Sequence, residues 1–311
     1  MTEIDRPATH TPPKEPASRP LLALIYMMGA TLSFSLMAVA ARELAGRLDT
    51  FEIMTYRSMI GVFVVVTIIY ARGLQSQVKA RRMGLHFIRN LTHFVGQNLW
   101  LYAVALIPFS QLFAFEFSVP LWVALTAPFF LGEKLTRTRI AAAVIGFVGI
   151  LLVARPDASS LSPGVAAAAL AALGFTAASI TTKLLTRTEA TISIMFWLTL
   201  MQLAFGIVAA GWDLDFALPT LSDLPWVFAV GFCGLTAHFC ITTALSHAPA
   251  TVVTPFDFAR LPIIAVVGML FYDEPLMATV FLGAAIIFAA NFLNIRAEIG
   301  GRARAPRKRR A

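Results

Sequence analysis

Apolar stretches of about 20 residues alternate with short polar segments along nearly the whole chain. A transmembrane helix needs about 20 apolar residues to cross the hydrocarbon core of a bilayer. Ten stretches reach this length, at about 20–41, 50–71, 83–107, 109–131, 136–154, 163–183, 189–212, 224–247, 249–271 and 276–295. The pattern predicts an all-α polytopic membrane protein with ten transmembrane helices and the lipid bilayer as its surroundings.

The second half of the chain repeats residues of the first at a constant offset of 141 residues. The matched pairs include Pro108 with Pro249, Glu116 with Asp257, Glu133 with Glu274, Phe34 with Phe175, and Arg42 with Lys183. Each repeat holds five predicted spans, which is an odd number, so the second repeat is inverted in the membrane. Two inverted five-helix repeats are the internal symmetry of many secondary transporters.

The repeats divide the chain into four segments. Residues 1–19 are polar and rich in proline, which predicts a disordered cytoplasmic N-terminal tail and not a signal peptide. Residues 20–154 form the first repeat and residues 163–295 the second. Residues 296–311 form a basic C-terminal tail, which we also expect in the cytoplasm.

Composition and charge agree with a membrane protein and give its orientation. The chain is 58% hydrophobic and 14% charged, with a mean hydropathy of +0.75 and a net charge of +8. A cytoplasmic N-terminus places 19 of the 25 lysines and arginines on the cytoplasmic side, as the positive-inside rule requires. The basic tail also resembles a nucleic-acid-binding arm. Topology and lipid headgroups explain the same residues, so we expect no nucleic-acid partner.

Ionisable residues inside the spans are the first candidates for a substrate-binding or coupling site. Each costs about 2.5–3.5 kcal/mol in the bilayer, so such residues usually face a cavity or a partner. They are Glu116, Asp257, Arg57, Arg89 and Arg260. The carboxylates could bind a cation, accept a proton or contact the solute, and the arginines could anchor a carboxylate or phosphate. Ion pairing among these residues is the alternative. Leu198 stands in the second repeat where Arg57 stands in the first.

The third span adds neutral polar residues to the candidate site, namely His93, Gln97, Asn98 and Trp100. His93, Gln97 and Trp100 share one helix face. His238 occupies the position of Gln97 in the second repeat, so Gln97 and His238 could line a polar cavity between the halves. A histidine bonded to a neighbouring helix is the alternative.

Two prolines interrupt matching spans. Pro120 and Pro262 lie near the middle of the fourth and ninth spans, where each removes a backbone hydrogen bond and bends its helix. Interrupted helices in matching positions of two halves indicate the central site of a transporter. A bend needed only for helix packing is the other interpretation.

Other features narrow the function class. The two cysteines indicate neither a disulfide framework nor a metal site. The chain has no HExxH, no GxSxG elbow and no P-loop, so we expect no catalysis and no cofactor, with a membrane-embedded enzyme as a remote alternative. Glycine and alanine are dense in the fifth and tenth spans, which are therefore the candidates for close helix packing or for a homodimer interface. Glu133 and Glu274 precede the spans that follow them, where we expect a structural part near a helix N-terminus.

Several segments resemble the EamA type of the drug/metabolite transporter superfamily over about residues 20–295. They are the Phe51–Arg57 start of the second span, Pro120 followed by Leu131-Gly132-Glu133-Lys134-Leu135, and Pro262 followed by Tyr272-Asp273-Glu274-Pro275. Asp273 stands where the family usually has glycine. The segment His86–Arg89 looks most like the subgroup that contains riboflavin and S-adenosylmethionine importers.

The resemblance implies a secondary transporter that moves a small-molecule solute across the bacterial inner membrane by alternating access. Its site would be a central cavity lined by spans 1, 3, 4, 6, 8 and 9. Riboflavin uptake is the first expectation, since an aromatic and amide lining near Gln97, Asn98 and Trp100 suits a planar heterocycle. S-adenosylmethionine uptake and export of an amino acid or another metabolite are the alternatives.

Overall fold

The computed structural model describes residues 20–132, 136–154, 162–212, 216–247, 260–275 and 277–304. These residues are helical throughout apart from short connections. The helices are α1 (Pro20–Leu44), α2 (Thr50–Ala71), α3 (Met83–Leu106), α4 (Phe109–Glu116), α5 (Val119–Leu131), α6 (Arg137–Ala154), α7 (Pro163–Leu185), α8 (Thr191–Ala210), α9 (Leu224–His247), α10 (Arg260–Tyr272) and α11 (Ala278–Arg304), and a short 3-10 turn covers Gln75–Gln77.

The helices confirm the predicted all-α membrane fold with ten spans. Among the described residues, six segments are long and apolar enough to cross a membrane, namely α1, α2, α4 together with α5, α7, α8 and α9. Shorter apolar segments lie in α6, α10 and α11. The helix α3 has 24 residues but carries a row of buried polar side chains, which lowers its hydropathy. Its length still suffices to cross the bilayer.

Helices pack mainly in pairs that join one repeat to the other. The strongest contacts are α1 with α9, α3 with α7, α2 with α8, and α6 with α11. If the two repeats are exchanged, the pair α1 with α9 becomes the pair α7 with α3. The pairs α2 with α8 and α6 with α11 stay the same. This pairing fits the predicted inverted repeat, and it means that neither half forms its core alone.

The fifth and tenth spans pack closely against each other within the chain. A Cβ atom added to Gly149 on α6 would lie 2.9 Å from the carbonyl oxygen of Gly283 on α11. A Cβ atom on Gly283 would lie 2.7 Å from the carbonyl oxygen of Gly149. Real Cβ atoms do not approach so closely, so glycine at both positions permits this contact between the helix backbones.

The fourth span is broken at the position that its proline indicates. The helix α4 ends at Glu116 and α5 begins at Val119, so Pro120 lies in the first turn of α5, where its missing N–H costs no hydrogen bond. Ser118 lies in the break and its Oγ donates to the carbonyl oxygen of Phe115 (2.5 Å). Pro262 is the third residue of α10 as described, and the segment before Arg260 lies outside the described residues. The helices α4 and α10 contact each other, which brings the fourth and ninth spans together.

Candidate functional site

The break in the fourth span presents a carboxylate to the other repeat. Glu116 is the last residue of α4, and its Oε1 accepts a hydrogen bond from Nη2 of Arg260 at the start of α10 (2.9 Å). Its Oε2 accepts from the indole Nε1 of Trp100 on α3 (2.8 Å). The Arg260 guanidinium lies 4.6–5.0 Å from the ring centroids of Phe34, Phe113 and Phe117. Glu116 therefore contacts two other predicted site residues, Trp100 and Arg260, and links the two halves.

A second group of predicted site residues lies on α2, α3 and α9. Arg57, Arg89, His93 and His238 are close enough for each to influence the others electrostatically, and we call them the basic cluster. A Cβ atom on Gly234, one turn before His238, would lie 3.4 Å from Arg57 Nη2, so the guanidinium rests against α9. The structure thus gathers basic side chains that the sequence spreads over three spans.

Neutral groups hold the second arginine of the cluster. Arg89 is 9% exposed, and its Nε donates to Oγ1 of Thr182 on α7 (3.1 Å) while its Nη1 donates to Oδ1 of Asn90 (2.8 Å). Asn90 in turn donates from Nδ2 to the carbonyl oxygen of Trp197 on α8 (3.2 Å). These contacts orient the guanidinium and leave its charge uncompensated by a carboxylate among the described residues.

Each histidine of the basic cluster contacts one of two phenylalanines that occupy equivalent positions in the two repeats. His93 lies 5.6 Å from the ring of Phe175 on α7, and His238 lies 5.5 Å edge-on from the ring of Phe34 on α1. Gln202 on α8 donates from Nε2 to Nδ1 of His93 (2.6 Å). His238 is exposed although it lies well inside α9, so open space adjoins it.

The remaining amides predicted for the site on α3 differ in their contacts. Gln97 is buried, with 6% of its surface exposed. Asn98 is also buried and donates from Nδ2 to the carbonyl oxygen of Phe94 one turn earlier (2.8 Å), while its Oδ1 has no hydrogen-bond partner among the residues described. Asn98 is therefore bonded to its own helix.

A small cavity adjoins the basic cluster. Its volume is about 30 Å³, enough for a water molecule or two. It is lined by residues of α2, α8 and α9, among them Arg57, Ser58, Leu198, Gln202, Gly234 and His238. Larger grooves of about 740 and 320 Å³ have apolar linings and lie away from the cluster. The polar side chains, and not the largest groove, identify the candidate site.

Asp257 lies outside the described residues, as does Glu133. The predicted convergence of Asp257 with Glu116 near the middle of the membrane therefore stays a prediction.

Sequence reasoning missed a set of contacts at one end of the molecule. Arg42 at the end of α1 forms an ion pair with Glu274, in the turn before α11. Arg42 also donates from Nε to the carbonyl oxygen of Val104 (2.7 Å) and from Nη2 to that of Ile107 (2.6 Å). Glu274 Oε2 accepts from the backbone N–H of Phe109, the first residue of α4 (2.9 Å). Glu274 thus stabilises the N-terminus of the fourth span, and the two charges close this end of the bundle.

Signals for two missed features are present in the sequence. Arg42 and Glu274 each have a charged counterpart in the other repeat, Lys183 and Glu133, which marks both as candidates for an equivalent contact at each end. Gln202 is an amide within an otherwise apolar span. A polar side chain in such a place needs a partner, and here the partner is His93.

Three known transporters resemble this chain over most of their length. An S-adenosylmethionine uptake transporter of Rickettsia bellii is 28% identical over 262 residues, which cover 84% of this chain and 88% of the relative. A riboflavin transporter of Rhizobium johnstonii is 28% identical and covers 91% of this chain and 93% of the relative. A pseudopaline exporter of Pseudomonas aeruginosa is 27% identical and covers 84% of this chain and 91% of the relative.

The fold itself is known from a solved crystal structure. That structure covers 90% of this chain and 99% of its own chain with a TM-score of 0.65, at 20% sequence identity. A family model, the EamA-like transporter family, matches the chain twice, over residues 21–155 and 162–296. The match confirms the resemblance seen in the sequence, and the first two of these relatives carry the two activities of the predicted subgroup. The chain is a multi-pass membrane protein that belongs to the EamA-like transporter family.

Proposed function

We propose that this protein is a secondary transporter that takes up a small organic metabolite by alternating access between its two inverted halves. The observation that carries the proposal is the ion pair between Glu116 and Arg260, which joins the broken fourth span to the ninth span of the other repeat. Broken helices that meet at a repeat interface provide polar groups at membrane depth without exposing backbone to lipid.

The solute binds between the halves, next to the basic cluster. Phe34 and Phe175 are related by the repeat and contact His238 and His93 respectively. Aromatic side chains beside hydrogen-bonding groups suit a flat heterocycle, and stacking on one ring contributes about 0.5–1.5 kcal/mol. Riboflavin and S-adenosylmethionine, the solutes named for two relatives, both carry a fused nitrogen heterocycle. These two compounds are the candidates for the transported solute.

Access alternates because the contacts that close one end of the bundle form and break. The ion pair between Arg42 and Glu274 joins α1 to the turn before α11, so it stabilises the state in which this end is closed. Binding of solute shifts the population between the two states by its difference in affinity for them. The protein acts in the bacterial inner membrane with both termini in the cytoplasm, and we assign no catalytic step to its residues.

The test is uptake by cells that express the chain and lack both riboflavin synthesis and S-adenosylmethionine synthesis. Labelled riboflavin and labelled S-adenosylmethionine are supplied separately, each with the other as competitor. Saturable uptake of one compound above that of cells with an empty vector supports the proposal. No uptake of either compound, with normal amounts of protein in the membrane, rejects uptake of these solutes. Loss of preloaded label from expressing cells would instead indicate export.

A variant links uptake to the proposed site. Gln202→Ala removes the hydrogen bond to His93 without touching any charge. We expect it to raise the KM for uptake several-fold while the membrane level of the protein stays normal. Ser222→Ala, an exposed loop residue far along the chain from the cluster, is the control and should leave KM unchanged.

A further inference from the structure

The basic cluster holds two arginines that form no ion pair with a carboxylate of the described residues. Arg57 Nη1 contacts the sulfur of Met54 (3.7 Å), and Arg89 bonds only to the neutral side chains of Thr182 and Asn90. Two carboxylates of the described interior are engaged elsewhere. Glu52 accepts from the backbone N–H groups of Asp49 and Ala217, and Glu116 pairs with Arg260.

Two guanidinium groups that no described carboxylate pairs with are costly at one place in a membrane protein. A single arginine at the centre of a span costs about 2.5–3.5 kcal/mol on insertion scales. Arg57 and Arg89 add their mutual electrostatic repulsion to this cost, and neither histidine of the cluster relieves it. A membrane protein tolerates such an arrangement if an anion neutralises the two positive charges during the transport cycle.

The second repeat has no basic residue at the position equivalent to Arg57. Leu198 stands in the second repeat at the position of Arg57, and both residues line the same cavity. Gly234 has no side chain to cover the guanidinium on the side of α9. The first repeat therefore contributes a positive charge to the cavity, whereas α8 of the second repeat contributes the uncharged side chains of Leu198 and Gln202. This asymmetry suits a solute that carries a single anionic group.

We propose that the basic cluster binds the anionic group of the transported solute, a carboxylate, and that Arg57 is its main ligand. Arginine presents paired N–H donors in the geometry of a carboxylate, and hydrogen bonds between two charged groups are about twice as strong as neutral ones. This inference rests on the proposed transport function. It selects a carboxylate-bearing solute such as S-adenosylmethionine over the uncharged riboflavin.

The test measures binding to the purified full-length protein in detergent, separately from uptake. We use two pairs of compounds, and the two members of each pair differ by one anionic group. S-adenosylmethionine is compared with its decarboxylated analogue, and flavin mononucleotide with riboflavin. We expect the wild type to bind the anionic member of at least one pair about tenfold more tightly, or more. Arg57→Gln should reduce that preference to about twofold or less.

A matched control has the same chemical change on the same helix. Arg72→Gln removes an exposed charge at the C-terminal end of α2, and it should keep the preference of the wild type. The melting temperature of the solute-free protein separates binding from structure. Because Arg57→Gln relieves repulsion within the cluster, its melting temperature should equal or exceed that of the wild type.

Three results would overturn the inference. The first is equal affinity of the wild type for both members of both pairs. The second is a preference for the anionic compound that remains in Arg57→Gln. The third is a melting temperature of Arg57→Gln several degrees below that of Arg72→Gln. The last result would make Arg57 a structural residue with its own internal partner. Uptake without any anion preference rejects this inference alone, whereas an anion preference without uptake rejects the transport proposal alone.

Discussion

Glu116 and Arg260 lie 144 residues apart in the chain and form an ion pair of 2.9 Å across the contact between α4 and α10. The side chain of Arg260 is only 4% exposed, so the pair is largely withdrawn from solvent. Glu116 ends α4 at the break in the fourth span, and Arg260 lies two residues before Pro262 in α10. The break in the fourth span is therefore connected to the ninth span by opposite charges.

Removing one partner of this pair should destabilise the protein more than removing both. Arg260→Gln leaves the charge of Glu116 without an ion-pair partner in the interior. We therefore expect the free energy of unfolding to fall by about 3 kcal/mol. The double variant Glu116→Gln with Arg260→Gln carries neither charge and should recover part of that loss. Thermal melting in detergent measures both. A double variant as unstable as Arg260→Gln alone would show that the ion pair is not the cause.

The ion pair between Arg42 and Glu274 should control access to the interior from its end of the bundle. Glu274→Gln removes the charge attraction, so the population with this end open should rise about tenfold, equivalent to about 1.4 kcal/mol. Phe34→Cys, in a protein whose two native cysteines are replaced by alanine, reports accessibility to a membrane-impermeant maleimide. Arg47→Gln is the control, because it breaks the more exposed pair with Asp223. Equal labelling rates in both variants would contradict the prediction.

The contact between α6 and α11 should not tolerate a methyl group. Gly283→Ala places a Cβ atom 2.7 Å from the carbonyl oxygen of Gly149 and also against the side chain of Val153. We expect overpacking to lower the free energy of unfolding by about 1–3 kcal/mol. Gly84→Ala is the control, since nothing lies within 4 Å of its added Cβ. In a helix that substitution should be neutral or stabilise by about 0.5–1 kcal/mol. Equal melting temperatures for the two variants would argue against the close contact.

Asp223, in the loop before α9, should contribute stability that depends on pH. The Thr220 hydroxyl donates to its carboxylate (2.6 Å) and Arg47 pairs with it (3.0 Å), and both lower the pKa of Asp223 from its ordinary value of 3.8. A lowered pKa in the folded state gives stability that is present above pH 3.8 and is lost as the pH falls through the folded value.

We therefore expect Asp223→Asn to melt at a lower temperature than the wild type at pH 7. The difference should shrink at pH values below about 4, where the wild-type carboxylate becomes protonated. Melting temperatures at pH 7 and pH 3 test this, with Arg72→Gln, which removes an exposed charge elsewhere, as the control. A difference that is the same at both pH values would mean that the charge of Asp223 does not matter.

Both termini should lie in the cytoplasm. The excess of lysine and arginine in the basic tail and in alternate loops retains those segments inside the cell. A green fluorescent protein fused after Ala311 should fluoresce, because it folds in the cytoplasm. Alkaline phosphatase fused at the same place should be inactive, since it needs an oxidising compartment. Active phosphatase at the C-terminus would reverse the proposed orientation.

Sequence reasoning anticipated the breaks in the helices better than the contacts between them. Pro120 marks the break that separates α4 from α5, because the effect of proline on a helix is local. The same reasoning left three arginines as partners for Glu116. Which arginine reaches it depends on how α4 and α10 cross, and no local pattern encodes that crossing.

The basic cluster shows the same limit. Arg57, Arg89 and His238 are each visible in the sequence as costly polar residues within spans. Their assembly in one place requires α2, α3 and α9 to meet, and those helices belong to different repeats. The aromatic neighbours Phe34 and Phe175 were recognisable as a matched pair, but their contact with the two histidines was not.

The sequence by itself determined the membrane environment, the number of spans, the inverted repeat and the family, because hydrophobic length, charge bias and repeated residues are properties of short segments or of their order. The tertiary structure decided which charges are paired and which adjoin a cavity. Arg260 pairs with Glu116, Arg42 pairs with Glu274, and Arg57 faces a cavity. Pairing depends on distances between helices far apart in the chain, and in a low-dielectric interior those distances determine the energy of every charge.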